Sequence, residues 1–343
     1  MNYVPPRRSD GTIQRRRNPL PWPNDRPFRI LTIDGGGICG ILPAAVLAEL
    51  ERRFLGGRSI SGFFDMIAGT STGGIIALAL GAGITSAAIR DIYIERGGLI
   101  FPSRGWVARQ MLQLRRLVRY GYDAKALEDE LSRIFHSKVF GEATVRLCIP
   151  SFEGRHGEPW IYKTPHHPDY RNDRHEKMVM VGLATAAAPT FFRSLEHDGY
   201  MMVDGGLWAN NPIMNAVVDV LACFDLNRAQ IHVLSLGCGE TQYRVTQRRA
   251  AGGLFQWRDV IRAAMRAQSL NALGQAYLLV GKDHVLRIDA PESLNPIALD
   301  DYARAKQELP NMARSLVEGA GREIESVFLT NPADPYVPCP VCA

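Results

Sequence analysis

Three glycine-bounded segments hold the residues whose types and spacing suit chemistry. Gly69-Thr70-Ser71-Thr72-Gly73 sets a serine among small neighbours. A serine in such a tight turn, at the entrance of a helix, is presented for attack on a carbonyl, and the helix dipole favours the negative charge that develops there. The same letters also describe a serine that caps a helix. Asp204-Gly205-Gly206 follows the apolar stretch 200–203. A carboxylate at a strand end, beside glycines that let another loop approach, suits a base that takes the proton of Ser71. Asp-Gly is equally a common turn. Asp34-Gly35-Gly36-Gly37-Ile38-Cys39-Gly40 places consecutive glycines where backbone N–H groups can converge on a phosphate or a developing oxyanion. Its letters also fit the dinucleotide fingerprint GxGxxG, which wants an acidic residue about 20 positions on, at the end of the second strand. Glu49 and Glu51 fall inside a predicted helix, and Asp65 lies too far along.

Each segment needs a strand to deliver it and, for the serine turn and the glycine loop, a helix to receive it. The apolar run 29–33 ends abruptly in glycines and predicts a strand, with a helix over 41–55 that stops at Gly56-Gly57. Residues 63–68 predict a second strand and 71–80 a helix. Further helices are predicted over 86–96, 107–119 and 124–135, the last with Asp123 as N-cap. Strands follow at 145–152 and 161–163, then a small-residue helix over 178–188. A strand over 200–203, a helix over 212–224 with Pro212 in its first turn and a strand over 231–236 come next. Helices over 254–279 and 300–318 bracket a strand at 284–288. Strands alternating with helices predict an α/β fold: a mostly parallel central sheet, helices on both faces, and a helical C-terminal extension.

The composition agrees. The chain has 343 residues, 46% apolar and 22% charged, and a formal net charge of +5. This is a globular composition, with some affinity for phosphates or anionic surfaces but no signature of a DNA- or RNA-binding protein. No apolar run approaches the roughly 20 residues of a membrane-spanning helix. Arg15-Arg16-Arg17 is followed by Asn18-Pro19-Leu20-Pro21 instead of the apolar stretch of an export signal. Cys148, Cys223 and Cys238 lie in apolar stretches, as reduced thiols do in a cytoplasmic protein. Cys339 and Cys342 form a lone CxxC without the two further ligands of a zinc site, so no metal is expected. We divide the chain into a basic, Pro-rich arm (1–27), a catalytic domain (28–240), a helical extension packed on it (241–330) and a tail (331–343).

In this order and setting, the three segments resemble the patatin-like phospholipase family. Further similarity lies in Ala184-Thr185-Ala186-Ala187-Ala188-Pro189-Thr190-Phe191-Phe192, in Tyr120-Gly121-Tyr122-Asp123 with Leu127, Glu128 and Leu131, and in Trp208-Ala209-Asn210-Asn211-Pro212. The resemblance spans about residues 28–239 and implies the three-layer patatin-like fold. It implies that Ser71 is the nucleophile, that Asp204 activates it without a histidine, and that Gly35, Gly36 and Gly37 form the oxyanion loop. Gly40 closes that motif, and Gly69, Gly73, Gly205 and Gly206 support the turns. Asp34 is expected to hold the loop through hydrogen bonds to its backbone. The family commonly carries Arg or Lys where this chain has Cys39, near the substrate phosphate or the oxyanion. The loss of that charge is expected to bear on headgroup preference; a small space-filling side chain and a reactive thiol at a helix start are both compatible with the sequence.

The resemblance implies a phospholipase A-type hydrolase of membrane phospholipids at the bilayer surface, cytoplasmic and peripheral at the inner membrane when active, with no cofactor. Bacterial members of similar size and layout are effectors of cyclic-oligonucleotide antiphage signalling (CBASS). By that analogy a cyclic dinucleotide is the expected activator, with homo-oligomerisation on activation. Arg258, Arg262 and Arg266 recur every four residues on the helix after Leu254 and are its candidate binding residues; a solvated basic face reads the same way. An unregulated lipid acyl hydrolase and a catalytically silent lipid- or nucleotide-binding protein of the same fold are the alternatives. A Ser–His–Asp triad would need His232 or His284, both at strand positions; His166 and His167 sit in a polar loop that reads as exposed. The basic amphipathic stretch 107–119 suits either a membrane surface or an ordinary surface helix.

Overall fold

A computed structural model of the chain describes residues 5–8, 17–102, 120–239, 245, 260–293 and 295–340, for 261 and 262 the backbone alone. A short strand β1 (Leu20–Pro21) precedes the central sheet. The sheet is built from β2 (Phe28–Ile33), β3 (Met66–Gly69), β4 (Arg146–Glu153), β5 (Glu158–Lys163), β6 (Leu195–His197) and β7 (Tyr200–Asp204), then β9 (Ile231–Leu236) and β10 (Val285–Ile288). Between them β8 (Phe224–Asp225) pairs with β1 alone.

The order across the sheet is β10-β9-β2-β3-β4-β7-β6, with β5 on the other edge of β4. Neighbours from β10 to β4 run parallel, whereas β5, β7 and β6 are antiparallel to their partners. The parallel core matches the sequence expectation. The antiparallel edge was only partly foreseen, because β6 is a three-residue hairpin arm too short to leave an apolar pattern.

Alternation along the strands separates two cores. Phe28 and Ile30 of β2 join the cluster under helix Ile213–Cys223 and helix Val260–Val280, while Leu31 and Ile33 join the opposite one. There lie α1 (Ile41–Phe54), α2 (Thr72–Gly81), α3 (Ser86–Ile100) and helices Lys125–Phe135, Met178–Ala186 and Tyr302–Ile324. The result is helices on both faces of one sheet, three layers in all. The C-terminal extension is more than a helical addition. It supplies β10 to the sheet edge and lays helix Tyr302–Ile324 along α1.

Among the boundaries that differ from the sequence reading, two lie next to the site segments or their helices. The second strand begins at Met66, because residues Ile60–Phe63 form a 3-10 turn capped by Ser59. Asp123 accepts the Lys125 N–H at 3.0 Å, while Ala124 takes the cap position of helix Lys125–Phe135. The N-terminal arm is laid on the domain: Arg8 stacks on Trp160 and meets Asp173 at 2.7 Å. The tail is held as well, with the Cys339 N–H donating to Pro165 O. The stretch 107–119, Arg258 and Cys342 lie outside the described residues. No described helix is long and apolar enough to cross a membrane.

Candidate active site

β2, β3 and β7 bring the three segments together at one end of the sheet. Ser71 sits between β3 and α2 with φ 54° and ψ −121°. Such a backbone costs a non-glycine residue roughly 1–3 kcal/mol and must be held by its surroundings. The Ser71 N–H donates to Thr185 Oγ1 at 3.0 Å, and Thr185 Oγ1 donates to Pro150 O at 2.6 Å. Thr70 Oγ1 donates to Ala209 O at 2.6 Å. A Cβ on Gly69 would collide with the carbonyl of Gly73, and one on Gly73 with that of Ile33. The turn therefore accepts glycine alone at both flanks. Ser71 makes no side-chain cap bond to α2. Its Oγ donates instead to Asp204 Oδ2 at 2.7 Å, which decides against the capping alternative.

Asp204 ends β7, opposite Ser151 of β4. Its N–H donates to Ala187 O at 3.1 Å, and its Oδ1 accepts the Gly206 N–H at 2.6 Å. A Cβ on Gly205 would collide with Pro150 O, so this glycine lets the segment press against β4. Burial pushes the Asp204 carboxyl up from 3.8 to about 6, against the hydrogen bonds from Ser71 and Gly206 that hold it down. A carboxylate with that affinity for a proton is a better base than an exposed one.

In the glycine loop, the Gly35 N–H is committed to Asn210 O at 3.0 Å. Among the described residues no acceptor meets the N–H groups of Gly36 or Gly37, and both residues line the cavity beside Ser71. Gly37 has φ 55°, and a Cβ there would run into Leu299 O. Gly40 lets the loop pack on Thr72, whose hydroxyl meets Tyr93 Oη at 2.6 Å. Asp34 receives a two-pronged contact from Arg287, 2.7 Å at its shorter arm, a side-chain partner that the sequence did not suggest. For Cys39 the two readings compatible with the sequence separate. It is buried, is not among the residues lining the cavity, and faces Ile297 O at 3.8 Å. Burial, aided by Asp301, pushes its thiol up to about 12, which favours the space-filling reading over the reactive thiol.

The cavity holds about 810 Å³ and runs from Ser71, Asp204 and the glycines between α3 and helix Lys125–Phe135. Its walls are apolar, including Ile75, Ile89, Ile100, Phe101, Leu131 and Phe192. Arg96 and Glu130 also line it, paired with each other at 2.5 Å. An apolar slot of this size beside a serine suits an alkyl chain.

No histidine lines this cavity. His232 pairs in register with Arg29, and His284 precedes β10, so both lie toward the opposite end of the sheet from Gly69 and Ser71. They stack on each other with ring centres 4.6 Å apart. His166 and His167 are buried, not exposed. His166 meets Asp219 at 2.7 Å, and Lys163 meets the other carboxylate oxygen at 2.5 Å. Of the three candidate arginines, Arg266 pairs with Glu292; the side chain of Arg262 and all of Arg258 lie outside the described residues.

Sequence reasoning missed Thr185, Gln268, Ser269 and Arg287. Gln268 is hydrogen-bonded to the backbone of Asn211 at 3.1 and 3.2 Å, and Ser269 Oγ accepts from Asn210 Nδ2 at 3.2 Å. The one usable signal was Arg287, a charge in the middle of an apolar strand.

The family model for patatin-like phospholipases matches residues 31–217. A cGAMP-activated phospholipase of Pseudomonas aeruginosa is 33% identical over 73% of this chain and 75% of its own. The protein of that name in Vibrio cholerae is 34% identical over 65% of this chain and 68% of its own. The one in Escherichia coli is 29% identical over 85% of this chain and 83% of its own. With the family model covering more than half of the sequence, on a three-layer fold that gathers the three glycine-bounded segments at one cavity, the chain belongs to the patatin-like phospholipase family.

Proposed function

We propose that this protein is a phospholipase A-type hydrolase that cleaves fatty acyl esters of membrane phospholipids through a Ser71–Asp204 dyad. The observation that carries this reading is the 2.7 Å bond from Ser71 Oγ to Asp204 Oδ2 at the mouth of the apolar cavity. Asp204 takes the Ser71 proton as Oγ attacks the ester carbonyl. The N–H groups of Gly36 and Gly37 receive the oxyanion, a role worth about 3 kcal/mol per donor at other enzymes. Gly35 serves by its lack of a side chain, since a Cβ there would press on Asn210 Oδ1 and Ser71 Cβ. The proton then passes from Asp204 to the leaving alcohol. Water, activated by Asp204, attacks the acyl-serine and releases the fatty acid. The scheme needs no metal or organic cofactor.

We extend the reading to control. The three relatives are named for activation by cGAMP, and we assign a cyclic dinucleotide activator to this chain, in antiphage defence. Arg258, Arg262 and Arg266 remain its candidate contacts. Helix Val260–Val280, which carries two of them, touches the site: Met265 lines the cavity, and Gln268 and Ser269 hold the segment whose Asn210 carbonyl binds Gly35. A ligand that moves this helix moves the glycine loop. Activation is accompanied by homo-oligomerisation and by peripheral binding at the inner membrane surface in this reading.

The test is fatty-acid release from phospholipid vesicles by the wild type and Ser71→Ala, each with a panel of cyclic dinucleotides. One nucleotide should raise release by the wild type, and none should rescue the variant. Equal release with and without every nucleotide would select the unregulated acyl hydrolase. No release, and no reaction of Ser71 with a fluorophosphonate, would select a silent binding protein.

A further inference from the structure

The two ends of the glycine loop are held by residues that lie outside the segment matched by the family model. Arg287 belongs to β10, and its guanidinium passes across β9 to Asp34 at the end of β2. Nη1 donates to Asp34 Oδ1 at 3.1 Å and Nη2 to Oδ2 at 2.7 Å. Nη1 also donates to Ser235 Oγ at 2.9 Å and Nη2 to Asp289 Oδ2 at 2.6 Å. The remaining Asp289 oxygen accepts the N–H groups of Gly239 and Ala290, each at 2.8 Å. A Cβ on Gly237 would collide with the Asp289 carboxylate, so that glycine makes room for the second acid.

A planar guanidinium bound through two arms fixes the plane of its carboxylate as well as its distance. The Asp34 side chain is thereby fixed, and with it the peptide that leads into Gly35. At the far end of the loop the Ile38 N–H donates to Leu299 O at 2.9 Å. Gly36 and Gly37 are therefore suspended between two points, both set from the segment 287–299. Burying an arginine between two carboxylates is a costly way to gain stability compared with an apolar contact. What it supplies here is direction.

We propose that Arg287 is a positioning residue for acyl transfer, holding the Gly36 and Gly37 N–H groups in register with Ser71 through Asp34. This rests on the hydrolase reading above. The contribution appears in the transition state, where the oxyanion forms, and not in ground-state binding of the acyl chain.

The test compares Arg287→Lys, which keeps the charge and loses the fork, with Arg287→Met, using a soluble chromogenic ester. The expected result is a fall in kcat of about tenfold for Lys and about a hundredfold for Met, with KM within about twofold, on the scale of losing an oxyanion donor. Labelling of Ser71 by a fluorophosphonate should slow by the same factor, because the phosphonyl oxygen uses the same donors. Amide hydrogen exchange over residues 35–40 should rise in Arg287→Lys while β3 stays protected. Should Arg287→Met fail to fold, Asp289→Asn provides the second variant, with a smaller fall in kcat of the same kind. A kcat within twofold of wild type in Arg287→Lys, together with unchanged exchange over 35–40, would overturn the proposal. A wild type that neither hydrolyses esters nor labels at Ser71 overturns the hydrolase reading, and the exchange measurement still decides whether Arg287 sets the loop.

Discussion

Thr185 Oγ1 accepts the backbone N–H of Ser71 at 3.0 Å, so a hydroxyl from a distant helix holds the strained turn that presents the serine. The same hydroxyl donates to Pro150 O and is fully buried. Thr185→Val keeps the shape and leaves the Ser71 N–H and Pro150 O without a partner. The expected cost is about 1–3 kcal/mol of stability, read by urea unfolding, with a fall in kcat for ester hydrolysis. Thr185→Ser should restore both. A Val variant of wild-type stability and activity would show that the turn holds itself.

Asp204 must be ionised to act as a base, and burial places its carboxyl near about 6. We expect kcat/KM to fall about tenfold per pH unit below about 6 and to be flat above it. A pH profile with its acid limb near 4 would contradict this.

The raised Asp204 carboxyl has a consequence for stability with the opposite sign. The folded state prefers the protonated form, so its contribution is fully present below 3.8 and is lost as pH rises through about 6. Asp204→Asn removes the charge. It should abolish hydrolysis yet raise unfolding stability at pH 7 by about 2–3 kcal/mol, with no gain at pH 3.5. Equal stabilities of the two proteins at pH 7 would count against a buried, proton-hungry carboxylate.

Asp219 lies on the opposite face of the sheet, between Lys163 and His166, both within hydrogen-bonding distance. Burial pushes its carboxyl up, but those two groups outweigh it and hold it below the usual range. Asp219→Ala leaves the partly buried Lys163 ammonium and the buried His166 without their counter-charge and should cost about 3 kcal/mol. Below the unfolding transition the variant should still label at Ser71. Loss of labelling in a folded variant would mean that this cluster reaches the active site.

Cys39 should resist iodoacetamide in the native protein at pH 8, because burial holds its thiol near about 12. Peptide mass mapping before and after denaturation reads this. Cys39→Ser should keep hydrolysis within about threefold. Rapid native alkylation that stops catalysis would restore the reactive-thiol reading.

The parts of the site legible in the sequence are those made by local turns. Ser71 and its glycines, and Asp204 with Gly205 and Gly206, announce themselves within a few residues. Their partners do not. Thr185 is one small residue in a helix of small residues, and only the packing of that helix on α2 and β4 brings it to the elbow. Which N–H groups of the glycine loop are free depends on Asn210, some 175 positions away in sequence (210 − 35), whose carbonyl takes the Gly35 N–H. His166 and His167 looked exposed because their neighbours are polar and Pro-rich; the acid that makes burial tolerable for His166 is Asp219, far downstream. The sheet followed the same division. Its parallel core showed in strands with two buried faces; on the antiparallel edge β5 and β7 showed as strands, and the three-residue β6 did not.

The edge position of β10 also sets an order of events during synthesis. Ser71 and Asp204 leave the ribosome well before Arg287 and Leu299, and until those arrive β9 offers an unpaired rim and the glycine loop lacks both of its braces. On the proposed reading, a growing chain holds its serine and aspartate before the Gly36 and Gly37 N–H groups are set in place. On the proposal above, acyl transfer waits for the last strand to join the sheet.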